Sequence, residues 1–328
     1  MTEISIVIPT YNASFSIEDC LKAIYETTGV DFEVIIVDDL STDNTIEIVK
    51  QFPCRLIKLE EKSGPSLARN IGAENAKSDI IMFVDSDAVV ENGGIERLVS
   101  VFRKNPDIAC VSGVFDVNPN KLSFFSRYRD RQVAYWHYSA CDDVSIFILT
   151  AGAIRKDVFF EVGGFERKFG VKADIEDFEI GHRIVSRGHK MVVDKQIRFY
   201  HFEHSSRFTN LVKKLFKRTR LWMHLFWKRK KFEKNYVTAE RSYAAIFAGL
   251  SFLFLVLAAI SSIFLIPAVV SFILFVLLDA GFYRFLFKDG GLFFLIYALA
   301  VHYFLTIVIC TGAFVGLSQA LLGLEAQK

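Results

Sequence analysis

Two aspartates two residues apart, Asp85 and Asp87, close a run of five apolar residues, Ile80-Ile81-Met82-Phe83-Val84. Such a run, bounded by polar residues, reads as a strand buried on both faces of a helix-covered parallel sheet. In an extended chain the i, i+2 spacing turns both carboxylates to one side at the strand's carboxyl end, where open α/β sheets bind ligands. Two hard oxygen donors there suit Mg²⁺ or Mn²⁺, with phosphate oxygens and water completing the coordination. A second acidic pair, Glu176 and Asp177, opens a helical stretch. The helix dipole there favours the ionised form that a general base needs, although helix capping would use the same two residues. Arg69 follows Gly64-Pro65 on the first turns of another helix, placed for either a phosphate or Asp85.

Alternating strands and helices must position these groups. Strands are expected at 4–8, 32–37, 54–59, 80–84 and 108–115, separated by helices at 14–26, 42–51, 65–76 and 92–103. That alternation predicts right-handed βαβ units in a doubly wound, Rossmann-like α/β sheet of parallel strands. Residues 119–143 interleave aromatics with arginines and show no clear period. Beyond them the pattern predicts a strand at 146–149, a helix at 174–187 closed by Gly188, and a strand at 197–200. His201 and His204 follow that strand as candidates for a third metal ligand.

Six segments carry a resemblance. They are Val-Ile-Pro-Thr-Tyr-Asn at 7–12, Val-Asp-Asp-Leu-Ser-Thr-Asp at 37–43, Gly-Pro-Ser-Leu-Ala-Arg-Asn at 64–70, Asp85-Ser86-Asp87, Gly163-Gly164-Phe165, and Ile-Glu-Asp-Phe-Glu-Ile-Gly-His-Arg at 175–183. In this order they resemble a family 2 glycosyltransferase with the GT-A fold, over roughly residues 1–205. Leu40 departs from the pattern, since the family usually has Gly there.

The resemblance implies sugar transfer from a nucleotide-diphosphate sugar of the UDP or GDP type. Pro9 and Tyr11 would face the nucleobase, and Asp39, with Asp38 second to it, would accept a base N–H. Arg69, Asp85 and Ser86 would complete the nucleotide-sugar site. Asp85 and Asp87 would bind Mn²⁺ or Mg²⁺, with His204 as a third ligand. Asp177, beside Glu176, would be the base of an inverting displacement. Gly152, Arg183, Arg220 and Trp222 are assigned to the donor and acceptor site, Trp222 from a segment, 217–222, that loosely resembles a Gln-x-x-Arg-Trp motif.

The net charge of +2 over 328 residues hides a split. Eleven basic residues against one acid give the stretch from Arg207 to Lys234 a charge of +10. Apolar residues at 208, 211, 212, 215 and 216 make the start of this stretch an amphipathic interfacial helix, suited to anionic membrane lipids. Uncharged runs follow at 243–278 and 292–324. They fit three transmembrane helices at about 243–264, 267–285 and 292–312, with His302 in the third as a packing residue. Arg284 and Lys288 place the catalytic domain on the cytosolic side by the positive-inside rule, and no signal-peptide pattern precedes the first strand. Five scattered cysteines lack metal-ligand spacing and are expected as free thiols.

The organisation expected is therefore a GT-A catalytic domain at 1–205, interfacial helices at 206–240 and a transmembrane domain at 241–328. The expected activity is that of an integral cytoplasmic-membrane enzyme, passing a sugar to a lipid-linked acceptor in cell-envelope glycan or polysaccharide synthesis. The adjoining spans disfavour nucleic acid as a partner. An alternative acceptor is a polyprenyl phosphate, an anion that needs no base; a non-catalytic membrane adaptor is the remaining reading.

Overall fold

The computed structural model describes residues 2–117, 124–139, 146–166, 175–201, 208–229 and 239–324. The chain divides into two compact units, 1–119 with 136–204, and 120–135 with 205–328.

The first unit is built on eight strands: β1 (Ile4–Thr10), β2 (Phe32–Asp38), β3 (Arg55–Lys58), β4 (Ile80–Val84), β5 (Ala88–Val90), β6 (Ile108–Phe115), β7 (Ala151–Arg155) and β8 (Lys190–His201). Their order in the sheet is β3-β2-β1-β4-β7-β6-β8-β5. Between them run α1 (Ile17–Tyr25), α2 (Thr45–Val49), α3 (Pro65–Glu74), α4 (Gly94–Lys104), α5 (Phe124–Ser139), α6 (Lys156–Glu161) and α7 (Glu176–Ser186). Every residue of β1 is buried, as a strand covered on both faces requires. The first helices are shorter than their periodicity suggests because polar residues at their starts serve the loops instead. Thr45 Oγ1 accepts the Ala13 N–H at 2.8 Å, and Asp43 Oδ2 accepts that of Ser14 at 3.1 Å.

The expectation of a parallel sheet holds for β1 to β4 and for β6 with β8, and fails at β7 and β5. β7 pairs antiparallel with both β4 and β6, and β5 antiparallel with β8. The strand expected at 146–149 is instead the approach to β7. It folds back so closely that a Cβ on Gly152 would run into the Ile148 carbonyl. An apolar run shows burial, but it carries no information on strand direction or on where a chain reverses.

The second unit contains residues 124–135 of α5, then α8 (Phe208–Arg229), α9 (Ala239–Leu257), α10 (Leu265–Leu278) and α11 (Ala280–Leu321). Its core includes Tyr128, Leu211, Phe275, Phe282, Leu286, Phe294 and Leu305. Gly312 lets α8 and α11 approach closely, since a Cβ there would lie 2.8 Å from the Phe216 carbonyl oxygen. Among the described residues α11 is the one helix long and apolar enough to cross a membrane; the apolar stretches Arg241–Leu257 and Ser262–Leu278 are shorter. α11 breaks at Gly291, where φ is 69°. His302 does more than pack. Its Nδ1 lies 2.8 Å from Tyr128 Oη and its Nε2 3.1 Å from Asp279 Oδ2.

Candidate functional site

The carboxyl ends of β1, β2 and β4 open onto a cleft of about 280 Å³. Seven of the expected residues line it: Pro9, Tyr11, Asp39, Arg69, Asp85, Ser86 and Asp87, together with Thr10, Pro65 and Ala68. Tyr11 is 43% exposed, with Lys62 Nζ 3.3 Å from its ring centroid. Asp39 is buried, and its two oxygens accept the N–H groups of Ser63 at 2.6 Å and Gly64 at 2.9 Å. It thus pins the start of α3 against the end of β2. Asp38 is not part of the cleft lining; its carboxylate accepts the Ser41 N–H and holds the turn at Leu40. Leu40 itself has φ 64°, in the left-handed region where Gly is at ease and Leu is not.

Asp85 is gripped from two sides. Arg69 Nη2 donates to Oδ1 at 2.7 Å, and Thr150 Oγ1 donates to Oδ2 at 3.0 Å. Arg69 is only 4% exposed, and its Nη1 lies 3.4 Å from Glu176 Oε1. Burial works against its charge, but Asp85 and Glu176 outweigh that and hold the guanidinium pKa above its ordinary value. One buried cation therefore faces a carboxylate of the cleft and a carboxylate of α7. Cys20 lies beside it, its sulfur 3.7 Å from the Asp85 carbonyl oxygen. Burial first, then Asp87 and Asp85, push that thiol pKa up, so Cys20 stays protonated and is not a nucleophile.

The extended geometry expected for Asp85 and Asp87 is not what places them. Ser86 and Asp87 form a turn between β4 and β5, closed by the Ala88 N–H donating to the Asp85 carbonyl at 2.9 Å. Ser16 Oγ, which donates to the Ser86 carbonyl at 3.0 Å, holds the turn from α1. A turn displaces the second side chain from the strand's alternation, yet both aspartates still line the cleft. Asp87 Oδ1 lies 3.2 Å from His201 Nδ1, because the pairing of β5 with β8 sets His201 opposite Ala88. His204 lies outside the described residues.

Among the described residues no group of three or more His, Cys, Asp or Glu side chains converges to hold a metal ion. The donor set fits a different kind of site. Asp85 and Asp87 offer hard oxygens beside an open cleft, suited to a Mg²⁺ or Mn²⁺ that draws its other ligands from phosphate and water.

Glu176 and Asp177 lie in the first turn of α7. The Asp177 carbonyl accepts the Phe147 N–H at 3.3 Å, and its Oδ1 accepts that of Phe178 at 3.0 Å. Arg183 does not line the cleft. It binds Glu179 and the carbonyls of Val162 and Gly164, strapping α7 to the Gly163-Gly164 turn. Asn70 fixes the same turn through Phe165, donating to its carbonyl and accepting its N–H, both at 2.8 Å. Gly152 sits inside β7, opposite Phe83 and Ser112. Arg220 and Trp222 are on α8 in the second unit, where Trp222 stacks on Phe226. Thr150 is the polar contact that sequence reasoning missed. Only the antiparallel pairing of β4 and β7 brings it to Asp85, and nothing in the spacing announces it.

Residues 5–163 match the model of "Glycosyl transferase family 2". The chain is 29% identical over 180 residues to glycosyltransferase GlyG of Streptococcus pneumoniae serotype 4, covering 48% of this chain and 58% of that protein. It is 27% identical over 217 residues to the poly(ribitol-phosphate) beta-glucosyltransferase of Bacillus spizizenii, covering 55% of this chain and 34% of that one. The match thus spans less than two thirds of either relative. Among solved structures, the chain is similar to the mannosyltransferase PcManGT of Pyrobaculum calidifontis, in complex with GDP-Man and Mn²⁺. The TM-score is 0.59 at 18% identity, over 98% of this chain and 88% of that one.

Proposed function

Residues 5–163 match glycosyl transferase family 2 and the chain has the GT-A fold, and from that premise we propose that it moves a sugar from a nucleotide-diphosphate sugar to a lipid-linked acceptor hydroxyl, with inversion, at the cytosolic face of a membrane. One observation carries the donor half of this reading. Asp85, held between Arg69 and Thr150, lines one cleft with Asp87, Tyr11 and Asp39.

In this reading Tyr11 and Pro9 flank the base, and Asp39 accepts a base N–H through a lone pair its loop contacts leave over. Asp85 takes the ribose, and Arg69 supplies fixed positive charge next to the diphosphate. Asp85 and Asp87 would hold a Mg²⁺ or Mn²⁺, which when bound supplies Lewis-acid stabilisation of the leaving group's charge. Asp177 at the start of α7 takes the proton of the acceptor hydroxyl as its oxygen attacks the anomeric carbon from the face opposite the diphosphate. The GDP-Man and Mn²⁺ in the similar archaeal structure support the donor class and the cation. The similarity to a poly(ribitol-phosphate) glucosyltransferase supports a role in cell-envelope glycan synthesis.

The membrane assignment rests on α11, on the apolar helices before it, and on the basic face of α8 carrying Lys213, Lys214, Lys217 and Arg218. Three crossings are proposed, at about 243–264, 267–285 and 292–312. Full-length protein in anionic bilayers with Mn²⁺, UDP- and GDP-sugars and a lipid extract tests the acceptor half. The expected product is a glycosylated lipid that requires the extract and is lost in Asp177→Asn. A monoglycosylated polyprenyl phosphate, still formed by Asp177→Asn, would overturn the hydroxyl acceptor.

A further inference from the structure

The antiparallel register of β4 and β7 runs from Ile80 opposite Arg155 to Val84 opposite Ala151. One step further along both strands, the facing residues are Asp85 and Thr150. The step is realised in a side-chain bond, Thr150 Oγ1 to Asp85 Oδ2 at 3.0 Å, while Arg69 holds Oδ1 at 2.7 Å. With a separate donor on each oxygen the carboxylate cannot rotate, and each oxygen keeps a lone pair for a ligand. We propose that Thr150 is a positioning residue, whose hydroxyl fixes the orientation in which Asp85 meets the nucleoside diphosphate and its cation.

The approach to β7 has a second tie. Phe147, three residues before Thr150, donates its N–H to the Asp177 carbonyl at 3.3 Å. The stretch 147–150 therefore holds Asp85 by a side chain and the start of α7 by a backbone bond. The hydroxyl of Thr150 acts on the donor side alone, so its loss weakens donor binding and leaves the proton transfer at Asp177 in place.

The inference rests on the donor reading above, and the test separates the two. UDP and GDP binding is measured with and without Mn²⁺ for wild type, Thr150→Val and Thr150→Ser, beside steady-state kinetics and melting temperatures. Valine keeps the shape and removes the donor; serine keeps the donor. Thr150→Val is expected to bind the diphosphate with Mn²⁺ about tenfold more weakly, as is typical when a carboxylate ligand loses its outer hydrogen bond. Its donor KM should rise with kcat little changed, and Thr150→Ser should come within about twofold of wild type. If Thr150→Val does not fold, Thr150→Ala against Thr150→Ser makes the same comparison. Unchanged binding on loss of the hydroxyl, or a serine variant as weak as the valine one, overturns the role of Thr150. A wild type that binds neither UDP nor GDP overturns the donor reading, and this inference with it.

Discussion

Arg69 shows how one side chain can set a site's electrostatics. Its guanidinium reaches Asp85 and Glu176 with different nitrogens, a span that a single ammonium cannot reproduce. Arg69→Lys should therefore keep the charge and lose the geometry, lowering kcat/KM about tenfold to a hundredfold, the worth of one charged hydrogen bond. Arg69→Met leaves two carboxylates without their buried cation and should destabilise the first unit by about 3–5 kcal/mol in denaturant unfolding. Full turnover in the lysine variant would contradict the bridging role. Leu40 gives the opposite sign. Its left-handed backbone costs about 1–2 kcal/mol, so Leu40→Gly should raise stability by up to about 1 kcal/mol after the entropy of a freer unfolded chain is deducted. Asp43 adds a pH dependence. Burial would raise its pKa, but hydrogen bonds from Thr45 and Ser14 prevail and lower it to about 2. The stabilisation is present above the unfolded value near 4 and is lost as pH falls towards 2. Asp43→Asn should flatten that part of the unfolding curve, and an unchanged acid limb would refute it. At this scale Asp85, Asp87, Arg69 and Glu176 were legible because charged types beside apolar runs announce themselves. Thr150 is one hydroxyl among many, and only its partner across the sheet marks it.

The buried strands β1, β2 and β4 were readable from uninterrupted apolar runs, because a strand covered on both faces has no polar alternation to hide it. Direction was not readable, and the strand expected at 146–149 lies several residues before β7. The turn after β4 was also hidden: Asp85-Ser86-Asp87 looks the same in an extended chain as in the bend that joins β4 to the three-residue β5. Gly152 records the consequence of reversing β7. Gly152→Ala should push away the Ile148 carbonyl and with it both ties of the 147–150 stretch. A loss of about 1–3 kcal/mol in stability is expected, as for overpacking, with a larger fall in turnover than Thr150→Val shows. An alanine variant with native melting and native turnover would mean that the close approach is not needed.

Across the whole molecule, the charge split was plain from the sequence, with +10 between Arg207 and Lys234 set against an acidic remainder. Hidden was that residues 120–135 belong with the second unit although they interrupt the first. Their mixture of aromatics and arginines has no period to assign, and His302, a hydrogen-bond partner of Tyr128, lies 174 residues away. The large apolar side chains exposed on α9, α10 and α11, such as Ile266 and Phe314, are those that the proposed crossings would present to lipid. The full chain should therefore stay with membranes through an alkaline carbonate wash, and release into the wash would contradict the proposed crossings. The central claim is that the cleft at Asp85 and Asp87 is where a nucleotide sugar is turned over. Donor consumption by wild type and Asp87→Ala, side by side in bilayers with Mn²⁺ and a panel of UDP- and GDP-sugars, tests it most directly. The account predicts that one donor is consumed by wild type and that Asp87→Ala loses at least about 99% of that rate, as removal of a metal ligand demands. Equal consumption by the two proteins would contradict it.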